Sequence, residues 1–218
     1  MQRTSRSTLR RRKERGRYDR SAIDSILDEG LVCHVGFTDS GSLYVIPMTY
    51  ARIGDLLYLH GAAGNHLLRS LAEGGQACVE VTLLDGLVLA RSAFHHSMNY
   101  RSVILFGSPQ RVTDPEEMRR AASALLEHMA PGRSADARPP NDIELSTTLM
   151  VRFHISEGSA KVRSGPPLDD DEDLGLPIWA GQIPLEMTAQ PAIPAAGLPE
   201  QANLPTYARS YPDRHRTI

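Results

Sequence analysis

The side chains best suited to chemistry gather in three stretches of the chain. From His60 to Leu67 the sequence reads HGAAGNHL, in which Gly61 and Gly64 flank two alanines. Small residues let a backbone approach a ligand closely. Asn65 is a good cap for a helix over His66 to Glu73, whose unpaired N–H groups and positive dipole end favour an anion. His60 is placed either to touch a bound molecule or to bond backbone at a strand end. The second stretch, Phe94 to Arg101 (FHHSMNYR), has no clean period but is rich in hydrogen-bonding side chains. His95 and His96 invite a metal or haem reading, or one of the pair lines a ligand cleft. Adjacent strand residues point to opposite faces, however, and no third ligand stands at a useful spacing, so no metal is expected. In the third stretch, Lys161 and Arg163 alternate onto one strand face. They either reach a phosphate or form a solvated pair. No general acid or base is set by spacing, and no catalytic residue is assigned.

These groups need elements to hold them. The central stretch, Leu43 to Leu71, reads as strand, turn at Gly54-Asp55, strand, glycine-rich loop and short helix; its plain reading is a hairpin packed on a capped helix. Its first strand, Tyr44–Ala51, carries Pro47, which cannot donate to a ladder. The strand must lie at an edge, or leave that position without a neighbour. Before it come a helix starting at Asp19 or Ser21 and ending at Gly30, then a buried strand over Leu31–Phe37. After it, Gln76–Leu84 alternates like a strand. Asp85-Gly86 reads as a tight turn with Leu87–Ala93 returning as partner. Arg101–Val112 reads as a long strand interrupted at Gly107 and Pro109. The clearest helix follows, with Asp114 as cap, Pro115 at its first position and a stripe of Met118, Ala122, Leu125, Leu126 and Met129. A loop leads to Leu145–Ile155 and a last short strand, Ser159–Arg163. Many strands with few helices imply an antiparallel barrel or sandwich.

With 218 residues and a net charge of −2, one soluble domain with tails is expected, having no general attraction to nucleic acid or membrane. Residues 1–18 form a basic arm: nine Lys or Arg face two acids over residues 1–20, the mark of a solvated charge run. Residues 19–185 form the domain, and 186–218 read as a Pro- and Ala-rich disordered tail. No apolar run is long enough to span a bilayer, and no secretory signal is present. Cys33 and Cys78 sit in apolar runs as reduced core residues, which points to the cytoplasm.

Four segments together resemble the FMN-binding split-barrel proteins related to pyridoxamine 5′-phosphate oxidase. They are IPMTY (46–50), LYLHGAAGNHLLRSL (57–71), LLDGLVLARSAFHHSMNYRSVILFG (83–107) and SAKVRSGPP…LPIWAG (159–181). The branch is similar to the flavin-nucleotide-binding and nitroimidazole-resistance-like proteins. The resemblance implies a mainly β fold with a few helices, a six-stranded antiparallel Greek-key split barrel. It also implies a homodimer with two FMN sites in its cleft and a small-molecule substrate. Residue chemistry agrees with a flavin, which needs phosphate donors, an apolar slab and backbone donors at its polar edge. Pro47, Met48, Thr49 and Tyr50 would lie along the ring, and Asn65, His66 and Arg101 would hold the phosphate, Arg101 bidentately. The resemblance adds Ser102 and Trp179 as walls, with Gly61, Leu67 and Tyr100 in contact. His66 stands where the family commonly has Lys or Arg, so phosphate binding there would depend on pH. The implied function is an FMN-dependent oxidoreductase acting on an unidentified small molecule. The alternatives are a nitroaromatic reductase and a non-catalytic flavin- or haem-binding carrier or sensor.

Overall fold

Local chemistry starts each long helix. Asp19 accepts from the Ala22 N–H and opens α1 (Arg20–Glu29), whose Ile23, Ile26 and Leu27 are buried. Asn65 accepts from Leu68 and opens α2 (His66–Ala72). Asp114 accepts from Glu116 and Glu117, with Pro115 at the first position of α3 (Pro115–Met129). In each case the cap satisfies backbone donors that the first turn leaves unpaired. The computed structural model describes residues 1, 3–199 and 201–211. Residues 200 and 212–218 of the expected tail lie outside the described residues.

Among the described residues, ten strands make one antiparallel sheet: β1 (Gly16–Arg17), β2 (Val32–Asp39), β3 (Ser42–Ile53), β4 (Leu56–Ala62), β5 (Ala77–Leu89), β6 (Ser97–Gly107), β7 (Gln110–Arg111), β8 (Thr148–His154), β9 (Glu157–Arg163) and β10 (Gly181–Pro184). Their order is β1-β9-β6-β5-β2-β3-β4-β8-β7, with β10 added to β5. The expected mainly β split-barrel fold is present, with three short strands beyond the long ones. The ladder does not close: β8 turns directly into β9 at Ile155-Ser156, yet β9 pairs with β6 and β8 with β4.

The split is made by β3. Its residues 42–49 pair with β2, while Tyr50–Ile53 pair with β4. Pro47 therefore has a partner, His34, on one side only, which is how a long inner strand tolerates a proline. α1 and α2 cover one face, burying Ile26, Leu68, Leu71, Val79, Leu105 and Phe153 together. α3 covers the ladder of β3, β4 and β8 with Met118, Ala121 and Leu125 against Tyr58 and Met150.

Several expectations need correction. Asp85-Gly86 is not a hairpin turn, because β5 runs through it with only a bulge between Leu84 and Gly86. The strand has β6 on one side and β10 on the other, so its glycine marks a bulge and a close approach; a Cβ there would meet the Ile183 carbonyl at 3.0 Å. Arg101–Val112 divides into the end of β6 and the separate β7, and β6 starts earlier, at Ser97. On α3 the buried alanine is Ala121 rather than Ala122, and Met129 is exposed. The loop after α3 contains α4 (Arg133–Asp136) and α5 (Asp142–Ser146), the latter started by an Asn141–Glu144 capping box. A last helix, α6 (Thr206–Arg209), lies in the expected tail, where Tyr207 packs on Gly132.

The basic arm is not wholly solvated. Arg6 donates to both oxygens of Glu157 at 2.8 and 2.7 Å, and Thr4 donates to the same carboxylate. Ser7 is fully buried.

Candidate functional site

The ladders decide which expected site residues meet. Cα partners in adjacent strands share a face, and one row crosses five strands in register: Pro47, His34, Glu80, Ile104 and Ser159. The next row carries Thr82, Ser102 and Lys161, with Val32 beside Thr49 on the far strands. Pro47, Thr49, Ser102 and Lys161 therefore share the outer face of the sheet, opposite α1 and α2. No carboxylate pairs with the Lys161 ammonium among the described residues. His34 and Glu80 approach to 3.5 Å on the same face.

Met48 and Tyr50 alternate to the other side. Tyr50 is a core residue: fully buried, it donates to the Leu27 carbonyl at 2.6 Å, and its ring lies 4.9 Å from that of His128. Burial pushes its phenol up, so it stays protonated. Leu67 is likewise in the core, and Gly61 lies against Leu68 and Asn65. Both positions are explained by packing.

The loop around His60 and His66 is electrostatically different from the expected anion cradle. The Nε2–H of His66 donates to Asp39 at 2.8 Å, and the ring packs against Phe37 and Tyr44 at 5.7 and 5.4 Å. A carboxylate already at this place opposes a phosphate. His60 is half-buried, and its Nδ1 has no partner among the described residues. Burial lowers its pKa, which keeps the ring neutral.

Arg101 is equally committed. It grips Glu29 bidentately and donates to Asp85 at 2.8 and 3.0 Å. The Glu29 and Asp85 hydrogen bonds raise its already high pKa. The guanidinium locks the end of α1 to the β5 bulge and does not present a free phosphate fork. Arg163, buried beside its ladder partner Tyr100, donates to Asn99 and to the Gly165 and Pro166 carbonyls at 3.0 and 3.1 Å. Its burial and the charge of Arg15 lower its pKa. Trp179 is 66% exposed, lying on Gly181. His95 bonds Asp170 at 3.0 Å and His96 the Ser92 carbonyl at 3.0 Å, so the pair serves two different loops.

Two cavities border these residues. A groove of about 710 Å³ opens at the end of the barrel, walled by Arg101, Asp85, Leu83, Leu185 and Met187. A smaller one of about 270 Å³ lies between the arm and the outer face. Sequence reasoning missed Asp39, Glu29, Asp85 and Glu157, because each reaches its partner through tertiary contact.

A split antiparallel sheet with an open, partly polar outer face defines a split-barrel protein. The chain belongs to the pyridoxamine 5′-phosphate oxidase family, whose model matches residues 19–162. Among solved structures it is similar to the flavocytochrome Anf3 of Azotobacter vinelandii, with 34% identity, 94% of this chain and 95% of that one covered, and a TM-score of 0.89. It is also similar to an FAD- and haem-binding protein of Mycobacterium smegmatis, with 35% identity, 90% and 96% coverage and a TM-score of 0.86. A 5-nitroimidazole antibiotic resistance protein of Bacteroides thetaiotaomicron, described as putative, is 26% identical over 67% of this chain and 86% of that one, with a TM-score of 0.57. No curated protein matches the sequence.

Proposed function

We propose that the chain is a flavin- and haem-binding redox protein that exchanges electrons with a small molecule. The observation that carries this reading is likeness over nearly the whole length. At 34% and 35% identity, the chain aligns with over nine-tenths of a flavocytochrome and of an FAD- and haem-binding protein. A bound flavin would supply hydride or one-electron chemistry, and a haem one-electron chemistry.

The chain's own residues suit both groups. For the flavin, Pro47 and Thr49 provide the strand surface, and Ser102 and Lys161 provide a hydroxyl and a cation on the same face. Arg101 and His66, expected at the phosphate, are taken by carboxylates. For haem iron, His66 is the ligand we assign. A carboxylate on one imidazole nitrogen fixes the ring and raises the basicity of the other, as is usual behind metal-bound histidines. Phe37 and Tyr44 add an apolar wall beside it. The flavin surface and the His66 wall then lie on opposite faces of the β2–β3 hairpin.

The outer face also exposes Leu43 at 77% and Val45 at 63%, a cost that a homodimer over this face would remove. No described helix is long and apolar enough to cross a membrane. The two free thiols fit a reducing, cytoplasmic setting.

The absorption spectrum of purified protein, supplied with haem and flavin, tests the reading. Flavin bands together with a Soret band that moves on reduction are expected. A protein that takes up neither group overturns it. Flavin uptake alone favours the runner-up, nitroaromatic reduction, which rests on the likeness to the nitroimidazole-resistance protein. Nicotinamide-dependent loss of a nitroarene's absorbance would then be observed.

A further inference from the structure

The arm and the outer face enclose a cavity of about 270 Å³, and the arm precedes residue 19, where the family match begins. Its floor is the β5–β6–β9 part of the sheet, and its wall is residues 6–9. We propose that this cavity is the subsite for the adenylate half of an FAD, so that the arm completes a dinucleotide site. The proposal rests on the flavin reading above.

Three observations support it. First, the cavity stands at the right place relative to the flavin surface. The row from Pro47 through His34, Glu80 and Ile104 to Ser159 spans four strand spacings, roughly 19 Å. An FMN ends at its terminal phosphate, whereas an FAD continues through a pyrophosphate to a second nucleotide.

Second, the lining has the chemistry of a nucleotide pocket. Leu9 and Ile104 offer apolar surface for a base. Ser102 and Ser159 offer hydroxyls, and Ser159 is buried at 3% exposure yet opens onto this space, while the Thr8 hydroxyl at the wall donates to the Thr4 carbonyl at 2.6 Å. Lys161 supplies a positive charge with no carboxylate of its own among the described residues. Glu80, held by the Thr82 hydroxyl, is an acceptor for ribose hydroxyls or an exocyclic amine.

Third, the wall is held in place rather than loosely draped. The Arg6–Glu157 fork anchors it, Arg6 lies 4.9 Å over the Phe106 ring, and the Leu9 N–H donates to the Tyr18 hydroxyl at 3.0 Å.

The test is titration of flavin-free, full-length protein with FAD and with FMN, followed by flavin fluorescence. The wild type is expected to bind FAD more tightly than FMN. Thr8→Trp fills the cavity and should weaken FAD at least tenfold while FMN changes less than twofold. Retained FMN binding shows that the variant folds. Wild-type FMN binding as tight as FAD, or equal weakening of both flavins by Thr8→Trp, overturns the proposal and leaves the flavin reading standing. A wild type that binds neither flavin overturns the flavin reading itself.

Discussion

His66 and Asp39 are joined by a 2.8 Å hydrogen bond, from the first residue of α2 to the last of β2. The bond changes what the helix start can hold. An Asn-capped N-terminus with a free histidine attracts anions, but a carboxylate beside it cancels much of that attraction. The same carboxylate makes the imidazole a better metal ligand.

Replacing His66 by Ala is therefore expected to abolish the Soret shift on adding haem, while flavin uptake persists. Asp39→Asn should retain the ligand but weaken haem binding about 10- to 100-fold. Haem titration by absorbance measures both. An unchanged spectrum in His66→Ala would transfer the role to His60, the other imidazole with a free nitrogen in this loop.

Gly30 closes α1 where two buried groups converge. A Cβ there would stand 2.5 Å from Val81 Cγ1 and 2.9 Å from the Tyr50 hydroxyl. Gly30→Ala is predicted to destabilise the fold by about 1–3 kcal/mol through overpacking. Chemical denaturation would show this as a lower midpoint at unchanged slope.

Removing the Arg101 guanidinium leaves Glu29 and Asp85 without their shared cation. Arg101→Ala should cost about 1–3 kcal/mol, between the values for exposed and buried pairs, since the groups are about one-third exposed. Thermal melts of the variant and the wild type at pH 7 measure the loss. A variant as stable as the wild type at pH 7 would show the clamp to be idle.

The arm latch has a defined pH window. Glu157 is held at a pKa of about 2 by the Arg6 fork and the Thr4 hydroxyl, against an ordinary value of 4.5. A carboxylate lowered on folding contributes stability above its unfolded value and loses it as pH falls through the folded one. The latch should thus be constant at neutral pH and weaken between about pH 4.5 and 2, seen as faster amide exchange at Ser7. At pH 8, Glu157→Gln should expose the Arg6–Ser7 bond to trypsin, whereas the wild type protects it. Equal cleavage of both would show that the latch does not hold the arm.

What the sequence determined by itself was mainly local. Asp114-Pro115 and the apolar spacing behind it specify α3, because a cap and a helical face involve residues within a few positions of each other. Asp19 and Asn65 did the same for α1 and α2, and the alternation of Gln76–Leu84 marked β5. Pro47 announced a strand with one bare side, and the four family-like segments together pointed to the split barrel. Tertiary structure decided everything that required two distant segments to meet. Asp85-Gly86 carries the local signature of a hairpin, yet pairing with β6 and β10 keeps β5 continuous through it, with a bulge in place of a turn. The Arg6–Glu157 latch joins residues 151 positions apart. Arg101 and His66 look like anion donors in sequence, but Glu29, Asp85 and Asp39 had already claimed them in space. Pro47, Thr49, Ser102 and Lys161 share a face only because successive ladders hold one register, and a slip of one residue in any of them would turn its strand's side chains to the core.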